Sequence, residues 1–181
     1  DKIFQMVMGW DVDGVIAISF SKSNCEKIYQ LINKPIVSID AYGELDAGQE
    51  NHVLNIGLDD ESGGYLMTKY LLECGYEHIQ VCAGRDNGVD HFRYMGAQRA
   101  AKEFAGKKQK VQFTALGMNY AKRKESYAWL IQRKKPKTAL FFLSDLYALE
   151  AISFFSSRGV KIPEEIGIAG YDWSALLDAY L

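Results

Sequence analysis

The stretch TALFFLSD at 138–145, followed by LYALEAISFFSSRG at 146–159 and IGIAGYD at 166–172, decides the fold. The first piece is apolar without alternation, as a strand covered on both faces requires. The second has apolar residues at helical spacing and closes on Gly159. A turn at Pro163 then leads into a second apolar strand. Strand, helix and strand in that order make a parallel crossover unit. Each strand ends on oxygen-bearing side chains, Ser144–Asp145 and then Asp172. Ligands of parallel α/β sheets sit at the carboxyl ends of the strands, so these groups are expected at one cleft.

The same rhythm extends through the chain. Strands are predicted at 14–19, 35–40, 53–58, 78–84, 111–116, 138–144 and 166–171. Ser23-Asn24-Cys25-Glu26 reads as a capping box ahead of a helix with Ile28, Leu31 and Ile32 on one face. A helix near 60–74 has Tyr65, Leu66, Tyr70 and Leu71 at core spacing and stops at Gly75. Asp90 is placed to cap the next helix, whose Phe92, Met95, Gly96, Ala100 and Phe104 are expected to face the sheet before Gly106 ends it. A helix near 122–133 carries Tyr127, Leu130 and Ile131. Between Asp40 and His52 lies a polar loop, after which strand 53–58 runs through Gly57-Leu58-Asp59-Asp60 directly into a helix. This marks a change of subdomain: an incomplete N-terminal one at 1–58 and a nearly complete one at 59–181. The fold class is therefore α/β, with parallel sheets and flanking helices in two Rossmann-like halves.

Composition narrows the function. The chain has 181 residues, 48% hydrophobic and 24% charged, which suits a packed globular protein. A net charge of −2 argues against strong nucleic-acid binding by this chain itself. The basic runs Lys107-Lys108-Lys110 and Arg133-Lys134-Lys135 fall between helix and strand and read as solvated loops. Cys25, Cys74 and Cys82 follow no pattern, which fits a reducing cytoplasm. His52, His78 and His91 are isolated, so no metal site and no cofactor is expected. No apolar run reaches the length of a membrane span, and the start lacks signal-peptide organisation.

The residues at strand carboxyl ends are Ser19, Asp40, Gly84–Asp86, Gly117, Ser144–Asp145 and Asp172. Carboxylates are pure acceptors, so this rim suits a ligand rich in hydroxyl or amine donors. Asp145 is also placed to cap its helix, whereas Asp40 precedes a loop and has no helix to cap. Arg93 begins a helix, where the macrodipole disfavours a cation. Either it reaches the cleft and meets a ligand or carboxylate, or it points to solvent. Trp173 and Tyr127 lie near helix starts and serve either as packing or as flat platforms for a sugar or base. Asp11-Val12-Asp13-Gly14-Val15 looks like the nucleophile motif of haloacid-dehalogenase-type phosphatases, with Asp59–Asp60 as an acidic pair for Mg²⁺. That motif must follow an apolar strand, and here the apolar run comes after Gly14.

With these residues in view, the chain resembles the lactose-repressor/galactose-repressor (LacI/GalR) family of transcriptional regulators. VDGVIAIS, PIVSID, GGYLMTKYLLECGYEHIQVCAG, RYMGAQRAA, KTALFFLSDLYALEAI and RGVKIPEEIGIAGYD occur in the family's order and spacing. The resemblance implies a periplasmic-binding-protein-like fold, a small sugar-like effector in an inter-subdomain cleft, and a homodimer in the cytoplasm with no membrane contact. It implies no catalysis, and operator DNA would be met only through a helix-turn-helix absent from this chain. Arg93 matches the Arg of the family's R-x-x-G motif and Asp172 the first Asp of G-[FY]-D-D, both effector contacts. Asp40 matches the Asp that closes the PxxxxD strand, and Tyr127 lies where some members place an aromatic against the ligand. Ser144 stands where Asn is common, Trp173 replaces the second Asp, and Glu150 replaces a usual Gly. An extracytoplasmic sugar-binding protein of the same fold is the nearest alternative.

Overall fold

In the computed structural model, which describes residues 5–6, 9–40, 53–86 and 88–173, the strands form two wholly parallel sheets. The chain separates into two compact units, Asp1–Asp59 and Asp60–Leu181.

In the first unit, β1 (Val15–Ile18), α1 (Lys22–Ile32), β2 (Ile36–Ile39) and β3 (Val53–Ile56) form a sheet in the order β1-β2-β3. Helix α1 covers one face, where Ala17, Cys25, Ile28 and Ile36 are buried together. On the opposite face Ile16, Ile18, Leu54 and Ile56 are 56–71% exposed. These strands read as covered on both faces, yet among the described residues a helix covers only one. The helix start also differs from the expected capping box. Ser21, not Ser23, is the N-cap, its hydroxyl accepting from the Asn24 N–H, and Leu31 is half exposed. Residues 41–52, the predicted polar loop, lie outside the described residues.

The second unit contains α2 (Asp60–Glu73), β4 (His78–Ala83), α3 (Val89–Phe104), β5 (Lys110–Ala115), α4 (Tyr120–Arg133), β6 (Thr138–Phe142), α5 (Asp145–Ser156) and β7 (Gly167–Ala169). The strand order is β5-β4-β6-β7. Strand β6 is buried along its whole length, which explains why TALFF shows no alternation. Ala139, Phe141 and Leu143 join the core beneath α2 and α3, with Leu71, Leu72 and Ala97. Leu140 and Phe142 pack with Tyr127, Leu130, Ala151 and Phe155 from α4 and α5 on the other face. The chain leaves β4 toward β5 and returns to β6 on the other side of β4, so the direction of winding reverses between β4 and β6. In such sheets this switch point is where ligands bind, at the strands' carboxyl ends.

The helix faces agree only in part with the expected ones. Leu71, Gly96 and Ala100 are buried as expected, but Leu66, Tyr70, Met95 and Phe104 are exposed, and Gly64, Thr68, Arg93 and Ala97 take buried positions. Helices α2 and α3 meet along a seam of small residues. A Cβ on Gly64 would lie 1.8 Å from the Arg93 carbonyl oxygen, and one on Gly96 would lie 1.9 Å from that of Glu61. Backbone contact through glycine leaves no apolar signal to read. The N-cap of α3 is Gly88, with Asp90 inside the first turn, and Asn119 caps α4.

Candidate functional site

The glycine seam delivers Arg93 to the switch point. Because α2 and α3 touch through backbone, the start of α2 comes within reach of the Arg93 side chain. Arg93 Nε donates to Asp60 Oδ1 at 2.8 Å, and both side chains are 9% exposed. Nη1 donates at 2.6 Å to the carbonyl of Leu143, just past the carboxyl end of β6. Nη2 lies 3.3 Å from Asp172 Oδ1, and the guanidinium stacks on the Tyr171 ring at 3.8 Å. Asp90 follows at 3.9 Å from Nη1. Thus the cation that the helix macrodipole disfavours is held by carboxylates from three segments. Forked guanidinium geometry is what allows one side chain to serve them all.

One cation against Asp60, Asp90 and Asp172 leaves an excess of acceptors. Burial pushes the Asp90 carboxyl up to about 6, with Arg93 pulling it down and Asp172 and Asp60 pushing it further up. Burial also raises Asp172, opposed by Arg93 and reinforced by Asp145. A folded-state value above the unfolded one means that the proton binds the folded protein more tightly. The stability gained from protonating Asp90 is therefore fully present below about pH 4 and lost as pH rises through about 6. The expected contribution is on the order of 3 kcal/mol. It is checked by the difference in urea midpoint between wild type and Asp90→Asn. That difference should shrink as pH falls from 7 to 4, and a constant difference would contradict the assignment.

Left-handed backbone recurs at strand carboxyl ends within each unit. Among described non-glycine residues with positive φ are Asp172 (106°) and Trp173 (57°) after β7, and Ser19 (55°) after β1 and Asp40 (53°) after β2. Such conformations cost roughly 1–3 kcal/mol each and cluster where structure holds a side chain in place for a purpose. In the first unit, Asp40 Oδ1 accepts from the Leu58 N–H at 3.3 Å and Ser19 is exposed. In the second, Trp173 is 73% exposed, and Asp172 projects half-exposed beside Arg93.

Other expectations change. Tyr127 is fully buried, with its hydroxyl 3.2 Å from Glu150 Oε2 and its ring against Phe142, Phe154 and Phe155. It is core rather than a platform at the rim, because α4 turns that position onto the sheet. Asp145 is the first residue of α5, not its cap. Ser144 holds the N-cap position, half-buried, without a side-chain capping bond. The Asp145 carboxylate packs against Gly170, where a Cβ would lie 2.2 Å from Oδ1. Glu150 accepts a fork from Arg123 at 2.7 and 2.8 Å, tying α4 to α5, and that hydrogen bonding holds its carboxyl below the usual range.

Residues 68–181 match the family described as "Periplasmic binding protein-like domain". The chain belongs to this family, as a LacI/GalR-type effector-binding domain. It is 35% identical over 121 residues to the helix-turn-helix-type transcriptional repressor PurR of Haemophilus influenzae, covering 64% of this chain and 35% of that protein. To the PurR repressor of Pasteurella multocida it is 29% identical over 176 residues, covering 93% of this chain and 50% of that protein. A LacI family regulator from Enterococcus faecium, solved with bound ribose, superposes with a TM-score of 0.78 at 20% identity, over 99% of this chain and 65% of that one. The chain thus spans half or less of the length of these two repressors.

Relatives of this LacI/GalR-type domain are repressors and not enzymes, which removes the phosphatase reading. The geometry agrees, since Asp11 and Asp13 are exposed ahead of β1, at its amino end, and Asp60 is bound to Arg93. Among the described residues no helix is long and apolar enough to cross a membrane. Sequence reasoning missed Asp60, Asp90 and Tyr171 as partners of Arg93, and Arg123 as the partner of Glu150. The Gly63-Gly64 pair inside a helix was the signal available. A Cβ on Gly63 would lie 2.2 Å from the Tyr171 hydroxyl.

Proposed function

We propose that this chain is the effector-sensing region of a LacI-type transcriptional regulator. It takes a small sugar or similar polar metabolite against Arg93 and Asp172, with Asp40 of the first unit as a further contact. Ser144 and Trp173 are further candidate contacts from the second unit, and Ser19 from the first. The observation that carries this reading is the Arg93 cluster at the β4/β6 switch point, where three carboxylates share one cation. A ligand rich in hydroxyl donors would satisfy the surplus acceptors, and carboxylate–hydroxyl bonds are among the stronger neutral–ionic pairs. Binding shifts the population of subunit conformations, in a cytoplasmic homodimer, and so alters operator binding by a helix-turn-helix elsewhere in the longer protein. Further elements of that longer protein would cover the exposed apolar face of the first sheet.

The test is a thermal shift against sugars, polyols and purines, followed by titration of the best ligand. Asp172→Asn removes the charge while tolerating the positive φ. It is expected to weaken binding about tenfold or more, equivalent to about 1.4 kcal/mol, with little change in melting temperature. Unchanged affinity in this variant would overturn the site assignment.

A further inference from the structure

The amino-terminal half of the second sheet breaks the rule that the rest of that sheet obeys. Strands covered by helices on both faces are apolar on both. On the face beneath α4 and α5, that holds at Cys82, Leu140 and Phe142. Beside them, on β4 and β5, the same face carries His78, Gln80, Gln112 and Thr114, with Gln80 level with Leu140 and Thr114 level with Cys82. The side chains are linked: Thr114 donates to Gln80 Oε1 at 2.8 Å, and Gln80 Nε2 donates to Gln112 Oε1 at 3.4 Å. Helix α4 does not close over them. Between it and the strands lies a cavity of about 400 Å³, whose lining includes His78, Gln80, Gln112, Trp129, Arg133 and Lys135. Polar groups at positions where the fold prefers apolar ones point to function when nothing else compensates them.

The charge of this cavity is one-sided. Its lining holds Arg133, Lys134 and Lys135 and no carboxylate. Lys134 is paired with Glu165, but Arg133 and Lys135 meet no acidic partner among the described residues. The Trp129 indole is 43% exposed with the Arg133 guanidinium over its ring at 5.1 Å. A flat apolar platform, two uncompensated cations and a pair of amides fall within one concavity. Its volume lies in the range of roughly 300–1,000 Å³ typical of small-molecule sites. The site is at the amino ends of β4 and β6, at the opposite end of the sheet from Arg93 and Asp172.

We infer that this cavity is a second ligand site, for a small anion bearing a planar ring, of which a nucleoside monophosphate is the representative. The ring would lie on Trp129, the amides of Gln80 and Gln112 would meet its heteroatoms, and Arg133 and Lys135 would take the phosphate. Stacking and charge are both needed, which sets the arms of the test.

Isothermal titration of the whole chain with AMP, adenosine and inorganic phosphate separates them. AMP is expected to bind at least tenfold more tightly than either fragment. The Arg133→Glu/Lys135→Glu pair should weaken AMP at least tenfold, and Trp129→Leu should weaken it severalfold, with melting temperatures within a few degrees of wild type. Asp172→Asn should leave AMP binding unchanged, which separates this site from the one at the switch point. Absence of AMP binding would overturn the inference. So would adenosine or phosphate binding as well as AMP, or AMP binding lost in Asp172→Asn but kept in the charge-reversed pair. Because Arg133 and Lys135 are exposed, folding of that pair is not at stake.

Discussion

Replacing Arg93 by alanine is expected to lower the stability of the second unit by about 3–5 kcal/mol, the range for breaking a buried ion pair by removing one partner. The loss does not come mainly from the missing attraction. Asp60, 9% exposed at its side chain, is left as a buried charge at the start of α2, and the Leu143 carbonyl loses its donor. The urea midpoint should fall with the slope of the transition unchanged. Asp60→Asn added to Arg93→Ala should recover part of the loss, because the stranded charge is then gone. A midpoint equal to wild type in the single variant would show that the pair carries no structural role. This also decides how ligand data should be read. Loss of binding in Arg93→Ala mixes direct contact with structural damage, whereas Asp172 is half exposed and can be neutralised cleanly.

Gly96→Ala carries the second large effect. In a helix interior alanine is normally favoured over glycine by about 1 kcal/mol. Here the added Cβ would sit 1.9 Å from the Glu61 oxygen and 2.7 Å from the Tyr65 nitrogen, both backbone atoms of α2. Neither can move without moving the helix. Overpacking of this kind costs about 3 kcal/mol and outweighs the propensity gain. The melting temperature should drop by roughly 10 °C. Separation of α2 from α3 would also draw Asp60 away from Arg93, so ligand affinity should fall with stability. A melting temperature at or above wild type would mean that the two helices are not in backbone contact.

Much of this was legible from residues alone. All seven strands lie where runs such as TALFF and IVSI place them, although among the described residues only β6 is buried along its whole length. Asp172 and Arg93, picked out by strand end and by an unfavourable helix position, do come together. Helix faces were less legible. Leu66 and Met95 looked like core but are exposed; Leu71 and Leu72 do bury, and the rest of the buried faces of α2 and α3 is glycine, alanine, threonine, Asp60 and Arg93. Apolar periodicity finds faces that pack by side chain and is silent where backbones touch. The same limit hid the cavity under α4, since Arg133-Lys134-Lys135 is indistinguishable in sequence from a solvated run.

By itself the sequence determined the α/β class, the order of elements and which residues stand at strand carboxyl ends, because periodicity and strand ends are local properties of the chain. The tertiary structure alone decided which carboxylates share Arg93, that Tyr127 is core, and that Ser144 rather than Asp145 stands at the cap. Those depend on how close two helices approach and which way a helix is turned about its axis. For Arg93 that is set by the absence of a Cβ at Gly64 and Gly96, and no spacing of apolar residues records it.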